Sequence, residues 1–203
     1  MYKNYIKRIS DFFISLIFMP FLLLVILCVG IIIKLEDKGP IFYNAERLGK
    51  NGATYRMFKF RTMKVNAPDL RNEDGSTFSA ENDSRLLKSG SFFRKTSIDE
   101  LPQIINVFLG SMSIVGPRPD LPEHINQYTE EEKEKLSVLP GVTGYNQAYF
   151  RNSIDWSERK KNDVFYSRNV SILFDVKIIL KTIQTVIFRK NVFTTKEDVK
   201  NEF

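Results

Sequence analysis

The chain has 203 residues, 43% hydrophobic and 27% charged, so its length suits one medium-sized domain with a core of its own. Its net charge of +6 suits an anionic membrane, a nucleic acid or a phosphorylated substrate and does not choose among them. A single cysteine, Cys28, and a single histidine, His124, exclude a disulfide framework, a cysteine-rich metal site and an argument for a histidine-based triad.

Residues 12–33 contain no formal charge and are long enough to cross a bilayer as a helix. The charged residues 34–38 follow where a signal peptide would have a small-residue cleavage site, so we expect this segment to be retained. Pro20 removes a backbone hydrogen bond near the middle and predicts a kink. The residues alone favour a spanning helix over a re-entrant one, because re-entrant elements are rare.

A hairpin and an amphipathic strand are predicted next. Gly39-Pro40 begins a turn into a short strand, residues 47–52 predict a hairpin turn, and residues 55–63 alternate apolar with basic side chains. Lys59 and Arg61 could face phosphates or lipid headgroups, although a solvated basic face is the commoner explanation. Residues 65–84 are rich in polar, glycine and proline residues and predict a loop.

Residues 94–103 place two cations, two hydroxyls and two adjacent carboxylates in one stretch. Ser97 and Glu100 fit a capping box, which predicts a helix from Ser97 to Gly110 with Asp99 in its first turn. The helix dipole would keep Asp99 ionised there, and an ionised carboxylate can be a nucleophile or a metal ligand. One of the two carboxylates could attack or bind Mg²⁺ while the other handles a proton, and Arg94 could clamp a phosphate. Capping boxes also open many ordinary helices, so this pattern alone does not establish an active site.

Three further segments carry a pattern. Two prolines, Pro117 and Pro119, fix the backbone around Arg118, which suits either a phosphate contact or a rigid exposed turn. Residues 139–147 form a glycine-rich turn that admits close approach of a ligand, without the pattern of a P-loop. Residues 129–135 predict a solvated charged helix, and residues 172–190 a basic amphipathic helix for core packing or for a membrane interface.

Taken together, four motifs resemble the bacterial sugar transferases, and specifically the small monotopic polyprenyl-phosphate phosphoglycosyl transferases. The motifs lie in order along nearly the whole chain, behind a basic and apolar N-terminus. They are Phe58-Lys59-Phe60-Arg61-Thr62-Met63, Asp99-Glu100-Leu101-Pro102-Gln103, Gly116-Pro117-Arg118-Pro119 and Pro140-Gly141-Val142-Thr143-Gly144. Two positions depart from the family pattern, because Met19 replaces the serine before Pro20 and Tyr145 replaces the tryptophan after the glycine-rich turn.

The resemblance implies an α+β fold, in a mainly helical monotopic membrane protein with a small β-hairpin and interfacial amphipathic helices. Residues 1–36 would form an N-terminal re-entrant, helix-break-helix membrane hairpin, which reverses the preference for a spanning helix. Residues 37–203 would form the catalytic domain. The implied location is the bacterial inner membrane, with the catalytic domain facing the cytoplasm.

The resemblance also implies the chemistry. The family moves a sugar 1-phosphate from a UDP-sugar, here of the N-acetylated hexosamine type, to undecaprenyl phosphate, releasing UMP and requiring Mg²⁺. Asp99 matches the nucleophile that forms an aspartyl-phosphosugar and binds Mg²⁺, and Glu100 matches the second catalytic residue. The residues expected to bind phosphate or substrate are Lys59, Arg61, Arg94, Gln103, Pro117, Arg118, Pro119, Gly144, Gln147 and Arg151.

The expected partners are the UDP-sugar, undecaprenyl phosphate and the lipid bilayer. A homodimer and downstream glycosyltransferases are possible further partners, and no nucleic acid is expected. Two other functions fit some of the residues. The net charge and the aromatic residues among residues 56–61 fit a membrane-anchored binder of nucleic acid or acidic protein. The two carboxylates also fit a hydrolase that releases sugar phosphate into water.

Overall fold

A long N-terminal helix dominates the computed structural model, which describes residues 1–68, 70, 83–151 and 153–187. A short π-helix, Tyr2–Ile6, runs directly into helix α1, Lys7–Glu36. Pro20 lies inside α1 without interrupting it, so the helix-break-helix hairpin is not seen as two separate arms. In the described part of the chain, this is the one helix long and apolar enough to cross a membrane, and only 22% of its most apolar window is buried. It is therefore not an ordinary core helix.

The predicted β-hairpin is confirmed. Strands β1, Ala45–Leu48, and β2, Thr54–Met57, pair antiparallel around a 3₁₀ turn in which Gly52 adopts a φ of +78°. Strand β2 ends at Met57, earlier than the strand predicted for residues 55–63. Beyond it the chain makes isolated bridges, of Phe42 with Phe60 and of Met63 with Leu86. Most of the predicted loop at residues 65–84 lies outside the described residues.

The single helix predicted from Ser97 to Gly110 is wrong in its first half. Helix α2 spans Lys88–Thr96, a 3₁₀ turn spans Ile98–Glu100, and helix α3 spans Gln103–Leu109. Ser97 ends α2 in the left-handed conformation (φ +59°) and its side chain makes no cap hydrogen bond, so there is no capping box. The predicted end at Gly110 is confirmed, because this glycine closes α3 at φ +91°.

The second half of the domain surrounds a parallel strand pair, β3 (Ser113–Val115) with β4 (Gly141–Thr143). In the glycine-rich turn, Gly144 lies directly against the backbone of Gly116. A Cβ at position 144 would be only 2.1 Å from the carbonyl oxygen of Gly116, so there is no room for a side chain. The predicted charged helix is a 3₁₀ helix, Glu132–Ser137. The remaining elements are the 3₁₀ helix Pro122–Gln127 and helices α4 (Tyr145–Tyr149), α5 (Trp156–Arg168) and α6 (Ile172–Ile187).

Three buried clusters hold these elements together, and the protein is mainly helical with small sheets, as the α+β prediction requires. The first joins α1 to the segment after β2 and to α2, the second packs α6 against α4, α5 and β3, and the third lies under the hairpin. Their buried members are Val29, Ile33, Phe60, Leu87 and Phe93; Val115, Val138, Ala148, Tyr166 and Ile178; and Met57, Val107 and Met112.

Helix α6 confirms the predicted amphipathic helix over Ile172–Ile187, and residues 188–190 of that prediction lie outside the described residues. One side packs into the core through Ile178. The other side leaves a row of apolar side chains uncovered: Ile172, Leu173, Val176, Leu180 and Ile183. Both uses of an amphipathic helix are therefore available to α6, with core packing observed on one side and an exposed apolar surface on the other.

Candidate active site

The two adjacent carboxylates of the central motif meet one lysine. Lys59 Nζ lies 2.9 Å from Asp99 Oδ2 and 3.2 Å from Glu100 Oε1. The lysine comes from the extended segment after β2, and the next residue, Phe60, donates its backbone N–H to the carbonyl oxygen of Asp99 at 2.9 Å. The left-handed turn at Ser97 redirects the chain so that Asp99 faces this segment. Lys59, Asp99 and Glu100 therefore form one ion-paired group.

The environments of the two carboxylates push their pKa values apart. Asp99 is almost fully buried, and this burial raises its pKa although the Lys59 ammonium opposes the shift. Burial also opposes ionisation of Glu100, but the charges of Arg118 and Lys59 outweigh it and lower the pKa of Glu100 to about 2. Glu100 is therefore a fixed anion at neutral pH, while Asp99 is the less stabilised carboxylate and the more reactive of the two.

Arg118 reaches the same group from the proline-rich loop. Its Nη2 lies 3.1 Å from Glu100 Oε1, and its side chain is half exposed, so part of the guanidinium faces solvent. Pro117 and Pro119 hold the backbone on either side, which keeps this arginine in place at little entropic cost. After Lys59, Arg118 is thus the second predicted binding residue that the structure joins to the dyad.

Two more predicted arginines lie at the edges of the group. Arg94, on α2, donates its Nε–H to Thr62 Oγ1 at 3.1 Å. Burial lowers the pKa of Arg94, and the negative charge of Asp99 opposes that shift. Arg151 approaches Ser97 Oγ at 3.5 Å. Both arginines flank the dyad without contacting its carboxylates through any hydrogen bond seen in the described chain.

Arg61 makes no hydrogen bond with the dyad among the described residues. Its guanidinium is buried and contacts Asp37 Oδ2 at 2.6 Å and the carbonyl oxygens of Asp37 and Pro40 at 2.9 and 2.6 Å. These contacts fasten the chain that leaves α1 to the segment after β2. These guanidinium donors are used within the protein, and the predicted phosphate contact of Arg61 remains a prediction.

Three other predicted residues make no hydrogen bond with the carboxylates of the dyad in the described part of the chain. Gln103 is buried at the start of α3. Gly144 packs against Gly116, as given above. Both amide atoms of Gln147 are buried without a hydrogen-bond partner among the described residues. Their predicted role in substrate binding remains a prediction.

Sequence reasoning missed one residue that supports the site from behind. Lys135, predicted to lie on a solvated surface, is buried and lies 2.8 Å from Asp120 Oδ2 and 2.6 Å from Asp163 Oδ2. Asp120 directly follows Pro119 and Asp163 lies on α5, so Lys135 and these two aspartates fasten the Arg118 loop to α5. The signal for it was weak, because a lysine inside a run of glutamates is usually solvated.

The dyad offers the oxygen ligands that Mg²⁺ prefers. The described residues contain no cluster of three or more histidine, cysteine, aspartate or glutamate residues suited to a metal ion. Mg²⁺ is, however, commonly bound by one or two carboxylates completed by waters and substrate phosphates. Asp99 and Glu100 therefore fit a magnesium ion that arrives with a phosphorylated substrate.

Comparison with known proteins agrees with the motifs. The model of the family described as bacterial sugar transferase matches residues 2–189 of this chain. An Escherichia coli relative named UDP-glucose:undecaprenyl-phosphate glucose-1-phosphate transferase is 37% identical over 88% of this chain and 39% of its own length. An Aeromonas hydrophila relative named UDP-N-acetylgalactosamine-undecaprenyl-phosphate N-acetylgalactosaminephosphotransferase is 34% identical over 90% of this chain and 44% of its own length.

A relative of similar size also exists. The Bacillus subtilis uncharacterized sugar transferase EpsL is 34% identical over 98% of this chain and 95% of its own length. The chain thus spans about two fifths of the two relatives named for a substrate and nearly all of this smaller one. On the match over almost its whole length, the chain belongs to the bacterial sugar transferase family.

Proposed function

We propose that this protein transfers a sugar 1-phosphate from a UDP-sugar to undecaprenyl phosphate, giving undecaprenyl-diphospho-sugar and UMP. The observation that carries the proposal is the buried Asp99 beside Glu100, with Lys59 and Arg118 supplying positive charge where a diphosphate must bind. The names of two relatives support the substrate classes. An N-acetylated hexosamine is the proposed sugar, and the name of the Aeromonas hydrophila relative includes one.

The proposed reaction has two displacement steps at one phosphorus atom. The Asp99 carboxylate attacks the phosphorus that bears the sugar, the bond to the bridging diphosphate oxygen breaks, and UMP leaves with that oxygen. An oxygen of undecaprenyl phosphate then attacks the same phosphorus, and the bond to Asp99 breaks. The aspartate carboxylate is regenerated, so the enzyme is unchanged after one cycle.

The neighbours of Asp99 have separate tasks in this scheme. Lys59 holds the Asp99 carboxylate in place and favours its charged form, while Arg118 and Arg94 offer guanidinium groups to phosphate oxygens. A carboxyl group with a pKa of about 2 is a weak base at neutral pH. We therefore assign Glu100 to orienting Lys59 and Arg118. When bound by Asp99 and Glu100, Mg²⁺ supplies charge neutralisation at the diphosphate.

We propose that α1 enters and leaves the membrane on one side, at the inner membrane, with residues 37–203 as the catalytic domain in the cytoplasm. Both ends of α1 contact this same domain, and the exposed apolar side of α6 would lie at the membrane surface beside it. A homodimer and downstream glycosyltransferases remain predicted partners.

Mass spectrometry on the trapped enzyme tests the proposed function. Purified protein is incubated with Mg²⁺ and a panel of UDP-sugars in the absence of undecaprenyl phosphate, quenched in acid and digested. We expect the peptide containing Asp99 to gain the mass of one sugar phosphate with an N-acetylated hexosamine donor, because the second displacement has no acceptor. Adding undecaprenyl phosphate should remove the added mass and form the lipid product. Release of free sugar phosphate in its place would identify a hydrolase.

The pH dependence of UMP release provides a second test, through Lys59. The attacking carboxylate must be ionised, so activity is present above the pKa of Asp99 and is lost as the pH falls through it. Lys59→Met removes the nearest positive charge and should raise the pKa of Asp99 further, moving the acidic limb of kcat/KM upward by roughly one to three pH units. Lys50→Met changes an exposed lysine of the hairpin turn and should leave the limb in place. An unmoved limb in Lys59→Met would contradict the ion pair's assigned role.

A further inference from the structure

One side of the β-hairpin carries two polar residues that the proposed mechanism does not use. Arg47 on β1 and Tyr55 on β2 are directly opposite each other in the antiparallel register. Directly opposed residues of an antiparallel pair place their side chains on the same face of the sheet, close enough to act on one ligand. Their neighbours in the register, Glu46 and Arg56, are also opposite each other and therefore lie on the other face.

The end of strand β1, directly after Arg47, lies against the loop that carries Arg118. The backbone N–H of Leu48 donates to the carbonyl oxygen of Asp120 at 2.9 Å, and Leu48 and Arg118 line one small cleft. Burial and the positive charge of Arg118 lower the pKa of Arg47, which agrees with two guanidinium groups lying near each other. Among the described residues no carboxylate lies within ion-pair distance of Arg47, whose one hydrogen bond goes to the Glu46 carbonyl oxygen at 3.3 Å.

Tyr55 adds a hydroxyl at the same place. Its ring packs against the cluster beneath the hairpin, and its oxygen is buried with no hydrogen-bond partner among the described residues. The charges of Arg47 and Arg118 both act on this hydroxyl, against the burial that raises its pKa. A buried hydroxyl without a partner is unfavourable, so such groups usually mark a contact that a ligand or water completes.

We propose that Arg47, Tyr55 and Arg118 form a phosphate site, in which two guanidinium groups and one hydroxyl bind the uridine-bearing phosphate of the donor. This inference rests on the proposed function. Arg118 contacts Glu100, and Glu100 adjoins Asp99, so a phosphate held between Arg47 and Arg118 lies beside the phosphate that Asp99 attacks. Arg47 binds the group that leaves as UMP, and Arg118 bridges the two phosphates of the donor.

Binding of UDP to the full-length protein in nanodiscs, measured by calorimetry without turnover, tests the site. Arg47→Ala should raise the Kd for UDP at least about tenfold, and Arg47→Lys should restore part of the affinity, because it keeps the charge and loses the bidentate fork. Arg56→Ala is the matched control, since Arg56 is exposed on the opposite face of the same hairpin. It should bind UDP as the unaltered protein does.

Tyr55→Phe separates binding from folding. Removal of an unpaired buried hydroxyl should leave the Tm unchanged or higher, while the Kd for UDP rises severalfold. Nanodiscs containing undecaprenyl phosphate, and inorganic phosphate in solution, distinguish the source of the phosphate. An unchanged Kd for UDP in both Arg47→Ala and Tyr55→Phe overturns the site, as does a loss confined to the lipid phosphate. The two proposals can also fail separately. If Arg47→Ala weakens UDP binding but Asp99→Asn still turns over, the phosphate site is upheld and Asp99 is not the nucleophile.

Discussion

Asp99→Asn is expected to reduce UMP release from UDP-sugar and undecaprenyl phosphate by at least about a thousandfold. The amide has nearly the same shape as the carboxylate but lacks the charge and the nucleophilic oxygen that the first displacement needs. Lys59 would also lose a partner that lies 2.9 Å away. The measurement is UMP formed per enzyme per minute at saturating donor, together with the trapped mass, which should be absent.

The control for this change is Asp155→Asn. Asp155 caps α5 by accepting the backbone N–H of Glu158 at 2.8 Å, and asparagine caps a helix about as well as aspartate. This variant should retain full activity, and both variants should be recovered from membranes with similar Tm values. Turnover by a well-folded Asp99→Asn protein would remove Asp99 as the nucleophile.

The local motifs of this protein could be predicted from sequence because the functional residues of each motif are neighbours in the chain. Asp99 and Glu100 are neighbours in the chain, and the prolines around Arg118 restrict it wherever the loop lies. The connection of Glu100 to Arg118 at 3.1 Å joins residues 18 positions apart, and that distance is a property of the fold. The residues could be named in advance, whereas their pairing could not.

The wrong predictions have a common physical cause, which is that tertiary contacts outweighed a local pattern. Ser97 and Glu100 fit a capping box, yet Ser97 adopts the left-handed conformation and the chain turns toward Lys59. Lys135 looked solvated, but Asp120 and Asp163 arrive from 15 and 28 residues away to neutralise it. In each case the deciding partner was distant in sequence.

Tertiary contacts also favour a location on one side of the membrane for both ends of α1. At its start, Lys7 Nζ lies 2.5 Å from the buried Asp175 Oδ2, and Arg8 donates to the Val107 carbonyl oxygen at 2.6 Å. At its end, the Glu36 carboxylate accepts the backbone N–H of Ser89 at 3.1 Å. All these partners belong to the domain after α1. A helix crossing the bilayer could not keep both sets of contacts, because the buried pair at Lys7 would be separated at the cost of an uncompensated charge.

Cysteine labelling in cells should therefore find both ends of α1 on the cytoplasmic side. In a Cys28→Ser background, Asn4→Cys and Lys38→Cys each place one thiol at an exposed position before and after the helix. A membrane-impermeant maleimide should leave both unlabelled in intact spheroplasts and label both in inverted vesicles, as it does for Lys50→Cys on the hairpin. Labelling of Asn4→Cys in spheroplasts, with Lys38→Cys protected, would establish a spanning helix. The contacts of Lys7 with Asp175 and of Arg8 with Val107 would then have to break in the membrane.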